Sequence, residues 1–123
     1  MTEPVPRRGQ IWLAELGAAR PGELGKTRPV VIVSADTAEP VTSVDLLIVV
    51  PLSASRAPSL ARPKAQAGEG LDRDSVAVCR AVTSVARSRL VKPLGQLPAM
   101  VMSQVSLALL RLMDLDMDLD LMD

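Results

Sequence analysis

The sequence has no histidine, phenylalanine or tyrosine, and only one tryptophan and one cysteine. Without histidine, Ser-His-Asp and Cys-His catalytic arrangements and imidazole zinc sites are ruled out. With Trp12 as the only aromatic ring, a surface that recognises bases by stacking is excluded too. Any contact with nucleic acid has to be electrostatic or made by the main chain. The single Cys79 excludes an internal disulfide and fits a reducing cytoplasm. Within Ser75-Val76-Ala77-Val78-Cys79 it reads as a buried, inert thiol on a strand. No apolar run approaches the ~20 residues of a membrane span, and no charged-then-apolar leader opens the chain. A soluble, cytoplasmic protein with no membrane association is the expectation. Neither a Walker A loop nor a Gly-x-Gly-x-x-Gly occurs. The acids outside the C-terminal end are scattered, which argues against a two-metal carboxylate centre. Neither metal nor cofactor is expected, which leaves arginine, lysine, hydroxyls and backbone amides, a set suited to phosphate chemistry by electrostatic stabilisation.

What the chain does have is aliphatic. Apolar residues make up 48% of its 123 positions, enough for one domain with a modest core of Val, Leu, Ile, Ala and Met. Its formal charge of zero hides an asymmetry. Asp114, Asp116, Asp118, Asp120 and Asp123 crowd the end, while residues 1–113 hold all 14 Lys and Arg against the other 9 acids, a net +5. A basic body with an acidic tail suits a polyanion partner and a tail that competes with it; a solvated surface without a partner also fits.

Residues 1–8, with two prolines and a basic pair, read as a short arm. Gly9 to Leu16 is a first strand, Ile11 and Leu13 alternating with Trp12 and Ala14. Gly17 to Thr27 is a mobile loop, Arg28 to Ser34 a second strand, and Val44 to Leu52 a third, where Pro51 predicts an edge position or a bulge. Ser53 to Gly70 is a loop with a short strand around Ala61 to Ala67. Asp74 to Cys79 is a further strand, Asp74-Ser75 fixing the turn before it, and Lys92-Pro93-Leu94-Gly95 is a turn. After Pro98, helical spacing puts Val101, Val105, Ala108, Leu109 and Leu112 on one stripe. Short strands followed by one helix predict a small antiparallel barrel or coiled sheet capped by that helix. Trp12 is expected in the core or in dimer packing.

The stretch Gly22 to Val33 stands out. Two glycines loosen a loop, Lys26 and Arg28 bring cations to the point where Pro29 enforces an extended chain, and Val30 to Val33 is a buried strand. On spacing alone this is an anion site at the rim of a rigid strand, or an ordinary loop with solvated cations.

Four segments in order carry a resemblance: Arg8-Gly9-Gln10-Ile11-Trp12, Gly25-Lys26-Thr27-Arg28-Pro29-Val30-Val31-Ile32-Val33, Val50-Pro51-Leu52-Ser53-Ala54-Ser55 and Asp74-Ser75-Val76. Together with Arg89-Leu90 and the closing helix, they resemble the MazF/PemK toxin family of sequence-specific endoribonucleases over residues 7–113, leaving 114–123 as an acidic C-terminal tail. The resemblance implies a mainly β fold with α, an SH3-like barrel capped by a C-terminal helix and assembled as a homodimer. It implies the toxin of a type II toxin–antitoxin system, which cuts single-stranded RNA without metal. The ribose 2′-OH attacks its own phosphate, giving 2′,3′-cyclic phosphate and 5′-OH ends. A cognate antitoxin would occupy the same groove through a disordered segment. The family's functional arginine falls on Arg28 and its Ser/Thr on Ser53; Gly25, Lys26, Thr27 and Arg56 become substrate-binding candidates. A polar Gln-x-Arg-Thr type stretch of the family is replaced here by Ala81-Val82-Thr83-Ser84, with Thr83 at the Arg position, which leaves base preference open. The acidic tail is expected to be a frayed extension, or more sharply a pseudo-substrate that screens the groove. The same fold resembles the CcdB toxins, which bind DNA gyrase through an aromatic-containing C-terminus. This chain ends in Leu-Met-Asp and keeps Arg28 and Ser53, which favours the nuclease over that reading and over a catalytically idle RNA- or partner-binding barrel.

Overall fold

Strands β1 (Gln10–Glu15), β2 (Thr27–Ile32) and β3 (Leu46–Ser53) form the centre of an antiparallel sheet. The computed structural model describes residues 4–18, 21, 26–36, 41–68 and 70–121. Beyond β1 lies β7 (Leu90–Gln96). On the other side, β3 pairs with β6 (Thr83–Ala86) and with β5 (Ser75–Ala77), which in turn pairs with β4 (Lys64–Ala65). Helices α1 (Ala99–Leu112) and α2 (Leu115–Leu121) close the chain.

The apolar runs Val30–Ile32 of β2 and Val49–Leu52 of β3 are buried on both faces of the sheet, while Leu46 and Ile48 at the start of β3 are exposed. Trp12, Ala14, Val30, Ile32, Leu47, Val49, Val85 and Leu90 form one buried cluster. Ile11, Val31, Val33, Val50 and Leu52, offset by one residue, join Val105 and Ala108 of α1 in the other. Burying each aliphatic side chain of this size contributes about 1.5–3 kcal/mol. The expected helical stripe faces the second cluster: Val105 and Ala108 are buried, and Val101, Leu109 and Leu112 pack half-buried against it. Pro98 is the N-cap, its carbonyl accepting from the Met102 amide at 3.0 Å. Asp114 at φ 54° follows the helix end in the left-handed region. Arg8 donates to the Val33 carbonyl and to Ser106 Oγ, joining the end of β2 to α1.

Four expectations need correction. Pro51 lies neither on an edge strand nor at a bulge but in β3, which pairs with β2, β5 and β6. The outer edge of β3 passes from β6, which pairs with residues through Val49, to β5, which begins at Leu52, so the missing Pro51 N–H falls where neither partner needs it. Its carbonyl still accepts from the Val78 amide at 2.9 Å. Lys92-Pro93-Leu94-Gly95 is not a turn. It lies within β7, an edge strand with register shifts against β1 on both sides of the Trp12–Leu13 pair, a setting that tolerates proline. Cys79 is buried as expected, but it opens a 3₁₀ turn, Cys79–Ala81, because the strand ends at Ala77. Finally, residues Leu115–Leu121 of the tail are helical rather than frayed. Leucine and methionine favour helix, whatever the period-two alternation with aspartate suggests.

The Asp74 carboxylate fixes its loop as expected. It accepts from the Ala67 amide at 2.8 Å and pairs with Lys64 at 3.6 Å. The amide, ahead of the lysine charge, holds the carboxyl below its ordinary value. The same loop approaches β7 at Gly70, where φ is +102° and an added Cβ would lie 2.5 Å from the Leu94 carbonyl oxygen. Both the backbone angle and the backbone contact exclude a side chain there. Gly70→Ala is therefore expected to destabilise the protein by about 1–3 kcal/mol, measured as a lower urea midpoint at unchanged m-value; an unchanged midpoint would contradict it.

Candidate active-site groove

The register of β2 on β3 defines the site. Val30 pairs with Pro51 as the last pair of β2 with β3, and Arg28 lies two residues from it on β2 and Ser53 two residues from it on β3. The β2–β3 ladder stops at Val30↔Pro51; the next residue of β2 is Pro29, which has no N–H to donate. Arg28 is half-buried. Ser53 is only 2% exposed, since β3 is flanked there by Val76 of β5. Its Oγ accepts from the Ser55 amide at 3.3 Å and lies 3.1 Å from Ser55 Oγ, and Ser55 is exposed, so Ser55 presents the outer hydroxyl of the pair.

A groove of about 840 Å³ runs beside this pair, lined by Glu15 and Leu16, Leu46 and Pro51 of β3, Arg56, Val78 to Ala86, and Arg89, with Cys79 absent from its wall. Among the described sequence candidates, Arg56 lines it directly. The others adjoin its wall through paired neighbours. Thr27 pairs with Glu15, the Lys26 carbonyl accepts from the Leu16 amide at 2.9 Å, and Arg28 and Ser53 flank the Val30–Pro51 pair. Lys26 is exposed and holds φ 64°, a left-handed turn that brings the chain into β2. Gly25 lies outside the described residues.

The groove contains what the composition anticipates, cations and hydroxyls without rings. Arg56, Arg80 and Arg89 face it with Thr83 and Ser84, and Glu15 is the acid in its lining. Ala81 to Ser84, the stretch where the family pattern departs, all line it. Trp12 is in the core at 1% exposure, with the Arg87 guanidinium 5.0 Å above its ring, and is closed to a base. Arg80 is a groove residue that sequence reasoning missed. Its place depends on the 3₁₀ turn and on the contact of Val78 with Pro51, neither of which leaves a local signal. Burial pushes the Cys79 thiol up to about 11, so at neutral pH it is an uncharged packing group and no nucleophile.

Comparison with known proteins gives the family and the fold. Residues 7–113 match the family described as PemK-like, MazF-like toxin of type II toxin–antitoxin system. The chain is 33% identical to Endoribonuclease MazF9 of Mycobacterium tuberculosis over 115 residues, 89% of this chain and 97% of the relative. Its fold is similar to that of MazF from Deinococcus radiodurans, at a TM-score of 0.78 and 23% identity, covering 91% of this chain and 99% of that one. It is also similar to a chain of the MazE–MazF structure from the same organism, at 0.67 and 25%, covering 92% and 99%.

Proposed function

We infer that this chain, which belongs to the PemK-like, MazF-like toxin family of type II toxin–antitoxin systems, is an endoribonuclease that cuts single-stranded RNA. The observation that carries the reading is a groove lined by Arg56, Arg80 and Arg89, next to the Val30–Pro51 pair that Arg28 and Ser53 flank. The ribose 2′-OH attacks the adjacent phosphate as its proton passes to water, the P–O5′ bond breaks, the departing 5′-oxygen takes up a proton, and the products carry a 2′,3′-cyclic phosphate and a 5′-OH. Nucleophile and phosphate belong to one substrate, so the protein has only to position them, stabilise charge and move protons. The Arg28 guanidinium holds the developing phosphorane in a bidentate fork. A guanidinium keeps its proton and cannot serve as general base, but it can donate toward the departing 5′-oxygen. Ser53 positions the phosphate edge through its hydroxyl pair with Ser55. Lys26, Thr27 and Arg56 hold the strand along the groove, and Gly25, outside the described residues, completes the proposed substrate-binding set.

A homodimer is supported by Val44, Leu46 and Ile48, three exposed apolar side chains at alternate positions along one side of β3 and the residues before it. Leu46 also lines the groove, so a second copy seated on this row would bring the groove to the subunit boundary. The MazE–MazF structure from Deinococcus radiodurans supports a cognate antitoxin as the controlling partner. Among the described residues no helix is long and apolar enough to cross a membrane, and the reading places the toxin in the cytoplasm with its mRNA substrate.

The test is incubation of the purified, antitoxin-free protein with a long single-stranded RNA in EDTA, with product ends mapped. Discrete cuts ending in 5′-OH support the reading; a folded protein that leaves RNA intact would turn it toward a binding module. The acidic tail adds a second expectation. If residues 114–123 compete with RNA for the cationic groove, removing residues 115–123 raises the cleavage rate at low salt. The gain should fade by about 0.15 M salt, where the screening length falls to ~8 Å. Equal rates at every salt concentration would reject the tail as a competitor.

A further inference from the structure

The groove carries several cations and one acid. Glu15 and Arg89 line it, and Arg89 Nη1 donates to the Glu15 carbonyl at 3.4 Å. The Val78 amide donates to the Pro51 carbonyl at 2.9 Å and opens the stretch that carries Arg80, which lines the groove with Arg56. Among the described residues neither Arg56 nor Arg80 has a hydrogen-bond or ion-pair partner. Two cations without internal partners in one groove suit an anionic ligand.

Arg80 is also rigidly mounted. The turn carrying it is closed by the Ala81 amide on the Val78 carbonyl at 2.9 Å and the Val82 amide on Cys79 at 3.1 Å. The Cys79 amide donates to Ala61 at 3.2 Å, and the Cys79 side chain is fully buried, which anchors the residue next to Arg80 in the core. Arg80 itself is exposed. A long cationic side chain on a fixed base, in the groove that Arg56, three residues after Ser53, also lines, is suited to a second anion near the reacting one.

Resting on the endoribonuclease reading above, we propose that Arg80, together with Arg56, holds a backbone phosphate next to the one that is cleaved. It thereby contributes sequence-independent affinity and not base choice. A phosphate contact and a base contact leave different signatures. Losing a phosphate contact weakens all sequences alike and lowers the salt dependence of binding, by about 0.7 in the log–log slope for a single strand. Losing a base-edge contact changes the ranking of sequences.

The experiment measures binding of single-stranded oligonucleotides with 2′-fluoro riboses, which cannot cleave themselves, in several base compositions across a salt series. Wild type, Arg80→Ala and Arg80→Lys are compared, with unmodified RNA cleaved in parallel. Arg80→Ala is expected to weaken binding about tenfold for every composition, with the slope reduced by ~0.7. Arg80→Lys should recover most of both, because a phosphate accepts a point charge. An unfolding temperature equal to wild type confirms that the fold is intact. A changed ranking at constant slope would overturn the proposal in favour of base reading. Unchanged affinity and slope beside normal wild-type cleavage would overturn it while the nuclease reading stands. A wild type that neither binds nor cuts would remove both.

Discussion

Alanine at position 28 is expected to lower RNA cleavage by about 10²–10³-fold, the loss typical when one preorganised donor to a developing oxyanion is removed. The size of the effect follows from position. Arg28 is half-buried at the start of β2, where pairing of Ala14 with Arg28 fixes its backbone and Pro29 fixes the direction of the chain. A guanidinium held this way loses little freedom when it grips a phosphate, so its contribution belongs to the transition state more than to binding. Arg28→Lys retains the charge but loses the fork and should recover only part of the rate. The measurement is single-turnover cleavage of one RNA by the three proteins, with circular dichroism to establish equal folding. A reduced rate constant at saturating protein supports a role in the chemical step. If only the concentration dependence moves, Arg28 is a binding residue, and if Arg28→Ala cuts at the wild-type rate the assignment fails.

The second large effect is on stability. Trp12→Ala should cost about 3–5 kcal/mol, a large share of the roughly 5–15 kcal/mol that holds a domain folded. Trp12 is the bulkiest fully buried side chain and fills the middle of one core cluster. Its Nε1 donates to Gln10 Oε1 at 3.0 Å, and Arg87 covers its ring while donating to the Leu90 carbonyl at 3.3 Å and the Pro4 carbonyl at 3.1 Å. Removing the ring therefore leaves a cavity and takes away the surface on which Arg87 joins the N-terminal segment to β7. No other aromatic residue is present to expand into the gap. Trp12→Phe retains much of the volume and should cost far less. Urea unfolding followed by circular dichroism tests both, and a midpoint for Trp12→Ala close to wild type would contradict the packing account.

What could be read in advance depended on whether the signal was local. The aliphatic run at Val30 to Val33 announced a buried strand and Val44 to Leu52 a further one, and the Val101 to Leu112 stripe announced the helix that covers one face of the sheet. Prolines misled, because their usual consequence depends on which neighbour the missing N–H would have met. Pro51 lies at a change of partner and Pro93 on a bulged edge, and neither circumstance is visible within a few residues of sequence. The groove followed the same rule. Arg28 was marked by the loop and strand around it and Ser53 by the family resemblance, and the two strands that carry them are paired up to Val30–Pro51. The burial of Ser53 behind Ser55 depends on β5, and the position of Arg80 depends on a backbone bond to β3, so both required the folded chain.

The arrangement of Trp12 has an experimental use. With no tyrosine or phenylalanine present, ultraviolet emission comes from one indole, located in the cluster that shares Val85 with the groove wall. The helix α1 packs on the opposite side of the sheet, against the other cluster. Fluorescence thus follows the groove side alone, while far-ultraviolet dichroism follows the helix. If the two signals separate during denaturation, or when a ligand binds, the difference shows directly which face of the sheet loosened first.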